Sequence, residues 1–176
     1  FKTWERLLAT KLSETLHGTA PPPNQFGSLP GTSAPIALLV LRALLRKAGT
    51  SKLPVYAAQI DLNKAYNRVN RKLLWAKLLA LDVPMDIIKA IESTYTCCKE
   101  SIRLGANIGV PYTLLMGLRQ GSVLSPLLFI LYTASLLDEL NAHDSGIPAG
   151  HAIFHRLNVI MFVDDLFMMA TNLKDL

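Results

Sequence analysis

The stretch from Asn158 to Thr171 reads NVIMFVDDLFMMAT, two apolar runs with Asp164 and Asp165 side by side between them. Two carboxylates about 4 Å apart repel by ~1 kcal/mol in water and ~4 kcal/mol near a protein surface, so a chain that places them here needs something to offset the repulsion. Large and β-branched residues, a two-residue break and a second apolar run describe a tight hairpin of buried strands. Asp-Asp is a poor choice for turning, because two-residue hairpin loops favour Asn-Gly or Asp-Gly, which reach positive φ without strain. By itself the stretch leaves three readings open: a solvated turn, a buried helix, since unbroken apolar runs do not fix a period, and a metal-binding hairpin.

The 176 residues suit one domain or the bulk of a larger module. That length can bury roughly 70% of the unfolded surface. The composition is 51% hydrophobic, but 18% charged residues and many turn formers argue against a multispanning membrane protein. The 18 uncharged residues from Gln120 to Leu137 are long enough for a membrane span. Gln120, Gly121, Ser122, Ser125, Pro126, Thr133 and Ser135 interrupt them, so a core helix is expected and no membrane partner. No signal peptide is visible and the first residue is Phe, so we expect a fragment of a longer, intracellular product, nuclear or cytoplasmic and not secreted. Cys97 and Cys98 are the only cysteines and are adjacent, which excludes a disulfide framework and a cysteine zinc site. His151 and His155 stand four apart without the intervening Glu of a zinc-protease helix, and read as packing or surface residues.

The net charge of +5 is unevenly placed. Residues 1–105 carry 15 basic and 7 acidic side chains, a balance of +8, and residues 106–176 carry 3 and 6, a balance of −3. Arg42, Arg46, Lys47 and Lys52 stand between Gly31 and Ile60 without an acid. A basic half joined to an acidic half suits a polyanion lying across the first with its reacting end at the second. Solvated helix faces would give the same pattern.

Outward from the Asp pair, the chain begins with an amphipathic helix that points Trp4, Leu7, Leu8, Leu12 and Leu16 inward and stops near His17-Gly18. Residues 18–35 hold five prolines and must be loop. A helix follows Ser33, with Pro35 in its first turn and Gly49 at its close. Pro54 to Leu62 reads as a buried strand that delivers Asp61 at its end. A helical turn over Asn63 to Val69 leads to Asn70 as the cap of a helix from Arg71 to about Leu81. Another helix spans Pro84 to about Tyr95, with Met85, Ile88, Ile91 and Tyr95 inward. Ser101–Leu104 and Pro111–Met116 suit a hairpin through Gly105–Gly109. Ser125 as N-cap and Pro126 at the first helical position start a helix to about Ala142, and a loop from Asp144 to Gly150 returns to the Asp pair.

Asp61 at a strand end adds a third carboxylate to Asp164 and Asp165. Three carboxylates at strand ends suit a Mg²⁺ site for phosphoryl transfer, in which two ions roughly 3.5–4 Å apart clamp the attacking and leaving oxygens. Mg²⁺ fills its octahedron with water and substrate phosphate, so no dedicated cage is needed. Gly117-Leu118-Arg119-Gln120-Gly121 is a candidate wall for the substrate, its glycines allowing close backbone approach; it reads equally as a loop that starts a helix.

Asp61-Leu62-Asn63-Lys64-Ala65-Tyr66, then Gly117-Leu118-Arg119-Gln120-Gly121-Ser122-Val123-Leu124-Ser125-Pro126-Leu127-Leu128-Phe129, then Phe162-Val163-Asp164-Asp165 closely resemble, in order and separation, three motifs of reverse transcriptases. With Gln25-Phe26-Gly27 and Pro30-Gly31 upstream, the chain is most similar to the enzymes of non-LTR retrotransposons, with those of group II introns close behind. The resemblance implies an α+β right-hand polymerase: fingers at about 1–50 and 70–115, palm at about 51–69 and 116–176, an antiparallel palm sheet backed by helices, a catalytic β-hairpin near the C-terminus, and no thumb. It implies an RNA-directed DNA polymerase using two Mg²⁺ ions, with Mn²⁺ as an alternative, on an RNA template, a DNA primer and deoxynucleoside triphosphates. Asp61, Asp164 and Asp165 would be the catalytic, metal-holding carboxylates, joined by the Leu62 carbonyl. Tyr66 would be the steric gate against a 2′-hydroxyl, Gln120 would touch the nucleotide near its sugar, and Arg119, Lys64 and Gly121 would lie close by. Phe162-Val163 stand where the family carries Tyr-Ala, Asn67 where Asp is common, Ile130 where Asn is usual, and Ser28-Leu29 and Thr32 where Phe-Arg and Arg are frequent. The competing expectation is a truncated, inactive remnant or an RNA-binding domain derived from a retrotransposon.

Overall fold

The computed structural model of the chain describes residues 2–16, 22–96, 98–143, 145–150 and 156–176. His17-Gly18, Cys97, Asp144 and the His151/His155 pair lie outside the described residues. In chain order the elements are α1 (Lys2–Thr15), α2 (Ala34–Thr50), β1 (Tyr56–Asp61), a 3₁₀ turn (Tyr66–Arg68), α3 (Arg71–Ala80) and α4 (Met85–Tyr95). Four two-residue strands follow, β2 (Lys99–Glu100), β3 (Arg103–Leu104), β4 (Asn107–Ile108) and β5 (Tyr112–Thr113). The chain then forms α5 (Ser125–Ala142), β6 (Ile147–Pro148), β7 (Arg156–Leu157), β8 (Val159–Phe162), β9 (Asp165–Ala170) and a closing 3₁₀ turn (Leu173–Asp175). Packing divides the chain into two units, residues 1–19 with 64–132, and residues 20–63 with 133–176.

The unit of residues 20–63 and 133–176 is built on an antiparallel sheet in the order β1-β9-β8. The register runs from Tyr56 opposite Ala170 to Asp61 opposite Asp165, and from Val159 opposite Met168 to Phe162 opposite Asp165. Val159, Ile160 and Met161 are buried, as an unbroken apolar run requires. α2 packs on β8 and β6. Phe26, Ala37, Leu44, Ala48, Ile160 and Met169 belong to one core cluster, each large apolar side chain contributing about 1.5–3 kcal/mol by leaving water. Pro35 lies in the first turn of α2, where its missing N–H has no intrahelical partner to lose.

β1 departs from expectation. It is exposed along most of its length, with Tyr56 and Ile60 each at 39%, and is not a buried strand. As the outer strand of three it pairs on one edge only among the described residues. The other edge of the sheet is closed differently. Gln25 forms a parallel bridge with Met161, the Phe26 N–H donates to the Met161 carbonyl at 2.8 Å, and the Met161 N–H donates to the Asn24 carbonyl at 2.9 Å.

In the unit of residues 1–19 and 64–132, α1 and α3 both pack on α4. Leu8, Leu12, Leu74, Leu78, Ile88 and Ile91 are buried there. The Asn70 side chain caps α3 by accepting from the Leu73 N–H, as its residue type suggests. Trp4 (46% exposed), Leu7 (49%) and Met85 (48%) face solvent although their spacing fits the apolar stripes; Glu5 takes the inward place on α1. The expected hairpin at 101–116 is two short ladders, β2 with β5 and β3 with β4, with the tip at Gly105-Ala106. Ser125 does not cap α5; it is the first helical residue and its hydroxyl donates to the Arg119 carbonyl. No helix among the described residues is long and apolar enough to cross a membrane.

Candidate active site

β1 and β9 place Asp61 directly opposite Asp165. Opposed residues of an antiparallel pair have Cα atoms about 4.5–5.5 Å apart and side chains on the same face, so the two carboxylates share one end of the sheet. Asp164 is the neighbouring turn residue, and Leu62 follows Asp61 out of the strand. Asp61 and Asp165 are exposed and Asp164 is half-buried. None of the three forms an ion pair with a described residue. Nor do any three His, Cys, Asp or Glu side chains among the described residues form a ready metal cage.

The turn is shifted one residue from the expected Asp164-Asp165. Phe162 pairs with Asp165, so the two loop residues are Val163 and Asp164. Val163 has φ +59°, a left-handed conformation that costs an L-residue about 1–2 kcal/mol and a β-branched one more. The conformation is held from outside the hairpin. Gln25, 1% exposed, accepts at Oε1 from the Val163 N–H at 2.9 Å and from the Gly27 N–H at 2.9 Å, and its Nε2 donates to the Val163 carbonyl at 3.5 Å. Gly27 is required by space, since a Cβ there would lie 2.4 Å from Val163 Cγ2 and 2.6 Å from Val163 N. Asn24 completes the brace, donating to the Val159 carbonyl at 3.0 Å and exchanging amide hydrogen bonds with Asn141 at 3.1 and 3.2 Å.

The other named residues lie in the unit of residues 1–19 and 64–132. Lys64 is exposed with φ +53°. Half-buried Tyr66 stacks on Phe129 with ring centroids 5.1 Å apart, and its carbonyl accepts from the Leu118 N–H at 2.7 Å. Exposed Gln120 donates from Nε2 to Asn67 Oδ1 at 3.2 Å. Gly117, at φ +83°, lets the loop lie against Asn67, whose carbonyl oxygen would be 2.7 Å from any Cβ. Arg119 turns to Glu5, donating to its carboxylate at 2.5 Å, and the Ser122 hydroxyl donates to the same oxygen at 2.7 Å. Glu5 is 2% exposed. Arg119, Gln120 and Gly121 line a cavity of about 510 Å³ with Lys2, Lys99 and Ser122.

Two further side chains fix this loop. Arg71 donates to the carbonyls of Gly117 (2.7 Å), Leu114 (2.9 Å) and Met116 (3.2 Å), and its guanidinium lies 4.9 Å from the Tyr95 ring centroid. The Ser125 hydroxyl spends its proton on the Arg119 carbonyl at 2.8 Å, so at 3.3 Å the Tyr95 hydroxyl is the donor to Ser125 Oγ. Burial pushes the Tyr95 phenol above its ordinary value of 10.0, which keeps it a donor.

The sequence reading missed Glu5, Gln25, Asn24 and Arg71 as site-shaping residues. Glu5 carried a usable signal: with Leu8 and Leu12 it falls at i, i+3 and i+7 on the stripe that turns inward. Gln25 carried none beyond its place in the quoted flank.

The chain matches the family described as Reverse transcriptase (RNA-dependent DNA polymerase) over residues 1–176. It is 27% identical over 164 residues to the Retrovirus-related Pol polyprotein from type-2 retrotransposable element R2DM of Drosophila melanogaster, covering 93% of this chain and 15% of that protein. It is 30% identical over 136 residues to the Probable RNA-directed DNA polymerase from transposon BS of the same organism, covering 77% of this chain and 15% of that protein. The chain therefore spans about a seventh of these relatives' length. Among solved structures it is similar to the apo telomerase of Candida Tropicalis truncated from its C-terminal domain, with a TM-score of 0.60 at 15% identity, covering 97% of this chain and 35% of that one. That likeness concerns the fold, a mixed helix and sheet architecture with antiparallel sheets. With its whole length matched and its relatives carried by retrotransposons, the chain belongs to the reverse transcriptase family.

Proposed function

We propose that this chain carries the nucleotidyl-transfer centre of an RNA-directed DNA polymerase acting on an RNA template, a DNA primer and deoxynucleoside triphosphates. The observation that supports it most is Asp61 opposite Asp165 with Asp164 in the adjoining turn. Like charges facing each other across two strands are unfavourable unless a cation joins them. The donor set fits Mg²⁺, which takes one or two carboxylates and completes its shell with water and substrate phosphate. Asp61, Asp164, Asp165 and the Leu62 carbonyl would hold two such ions, with Mn²⁺ able to replace them. When bound, the ions supply charge stabilisation at the phosphoryl group in transfer.

In the reaction the primer 3′-oxygen bonds to the α-phosphorus of the deoxynucleotide, the bond to the bridging oxygen breaks, and pyrophosphate leaves. The protein's part is positioning and electrostatics. Tyr66, backed by Phe129, is suited to exclude a 2′-hydroxyl, because a ring braced by a stacked neighbour cannot yield. Gln120, Gly121, Lys64 and the loop held by Arg119 would bound the nucleotide. Fingers would comprise about 1–50 and 70–115, and palm about 51–69 and 116–176, a division by role where the compact units are a division by packing.

In the full-length protein, Asp164→Asn is expected to abolish primer extension on RNA while circular dichroism and template binding stay unchanged. Extension at near wild-type rate would overturn the assignment. Salt-dependent RNA binding with no incorporation by the wild-type protein would support a binding module instead.

A further inference from the structure

We propose that Gln25 is a positioning residue for the carboxylate site, a buried amide clamp that sets the Val163-Asp164 turn and through it the placement of Asp164 and Asp165. The inference rests on the reading of those aspartates given above. The clamp is needed because the turn is poorly chosen for its own conformation. A two-residue hairpin loop with positive φ at its first position prefers glycine there, and this chain has valine at φ +59°. Left to itself, such a turn would relax toward negative φ and rotate the peptide that carries Asp164.

Gln25 prevents this from a distant part of the sequence. One oxygen accepts from both Val163 N–H and Gly27 N–H at 2.9 Å, and the amide nitrogen donates to the Val163 carbonyl. The side chain is 1% exposed, so no solvent competes for these bonds, and releasing any of them would strand a buried polar group. Gly27 closes the arrangement from the other side, because any larger residue would strike Val163. The backbone bonds of Asn24 and Phe26 to Met161 lock the clamp to β8, so it moves with the strand it controls. Asp165, next after the turn, faces Asp61, so the turn that Gln25 holds adjoins the carboxylate pair.

The test uses the full-length protein with Gln25→Leu, which keeps bulk and loses every hydrogen bond, Gln25→Glu, which keeps the acceptor for both N–H groups, and Val163→Gly combined with Gln25→Leu. Hydrogen exchange at the Val163 amide is measured without metal or nucleotide, and single-nucleotide addition is measured across a Mg²⁺ titration. For Gln25→Leu we expect exchange at the turn to rise about tenfold or more and kcat to fall roughly 10- to 100-fold, the scale of an ångström-level misplacement. The half-saturating Mg²⁺ concentration should rise several-fold, while KM for the nucleotide and affinity for primed template hold within about twofold, since the clamp touches neither.

Gln25→Glu should recover only part of the lost kcat, because it keeps the acceptor but loses the donor to the Val163 carbonyl and buries a carboxylate. Val163→Gly in the Gln25→Leu background should recover most of it, because glycine takes positive φ unaided; a general loss of stability would not be repaired by that second change. Unchanged exchange at the turn in Gln25→Leu, or no recovery in the double variant, would overturn the clamp. Faster exchange with kcat and Mg²⁺ demand unaltered would overturn its role in the site. A polymerase that survives Asp164→Asn would instead overturn the functional reading, on which the exchange measurement does not depend.

Discussion

The sheet end at Asp61 and Asp165 and the Glu5–Arg119 pair bring charged side chains together in opposite ways. At the sheet end Asp61 faces Asp165, like against like, exposed and without a cationic partner among the described residues. Beneath the Gly117–Gly121 loop, buried Glu5 meets Arg119 and Ser122, and the Tyr95 and Ser125 hydroxyls complete a closed network. The first arrangement sets like charges against each other; in the second, Arg119 and Ser122 both donate to Glu5 Oε1. Under the function proposed above, chemistry would fall to the open cluster and loop geometry to the closed one. Arg119, singled out from the sequence as a residue near the nucleotide, has its guanidinium paired with Glu5.

The comparison breaks most easily at Asp61. Asp61→Asn should cost roughly 10³-fold or more in nucleotide addition, yet raise the melting temperature of the metal-free protein by about 1–2 °C, because it removes a like-charge pair worth about 0.5 kcal/mol. Calorimetry with and without Mg²⁺ checks this: Mg²⁺ should stabilise the wild type and lose most of that effect in the variant. A melting temperature that falls on substitution would mean the carboxylates are not repelling.

The closed network should respond with the opposite sign. Arg119→Ala leaves a carboxylate buried without its cation and is expected to cost about 3 kcal/mol, whereas Glu5→Gln, which keeps an acceptor and leaves only a partly exposed cation, should cost about 1 kcal/mol. Denaturant titration of the two variants gives the ranking, and equal losses would show that the pair is not the asymmetric one drawn here. Gly117→Ala should cost about 2 kcal/mol through its positive φ and its approach to Asn67. Smallest is Tyr95. Its raised phenol pKa means that the unfolded chain ionises first, so this contribution to stability is whole below the ordinary value of 10.0 and declines as pH rises through the folded value. Tyr95→Phe should flatten that alkaline decline.

Much of the fold was legible. α1, α2, α3, α4 and α5 fall close to their expected ranges because caps, prolines and apolar spacing are local signals. Asp61, Asp164 and Asp165 could be read as a group because adjacency and strand ends are visible in a string of letters, and the register places Asp61 against Asp165. What stayed hidden depends on partners far apart in sequence. Glu5 and Arg119 are separated by 114 residues, and Gln25 and Val163 by 138. Without Gln25 in view, the turn falls naturally on Asp164-Asp165, one residue late, because nothing local argues for a valine at positive φ. Exposure was equally illegible: Tyr56 and Ile60 read as core by residue type, and Trp4, Leu7 and Met85 by spacing, while burial depends on what packs above them.

β1 carries a further consequence, for handling the protein. Its backbone pairs with β9 on one edge, and no other described strand pairs with the opposite edge along Tyr56-Ala57-Ala58-Gln59-Ile60, where no proline, bulge or lysine discourages a second strand from adding. Aromatic, small and branched side chains with a single charge at the end are the composition of an adhesive edge. The span of residues 1–176 expressed by itself should therefore self-associate through this strand, and a lysine at Tyr56, the position farthest from the aspartates, should keep it dispersed in light scattering without touching the chemistry.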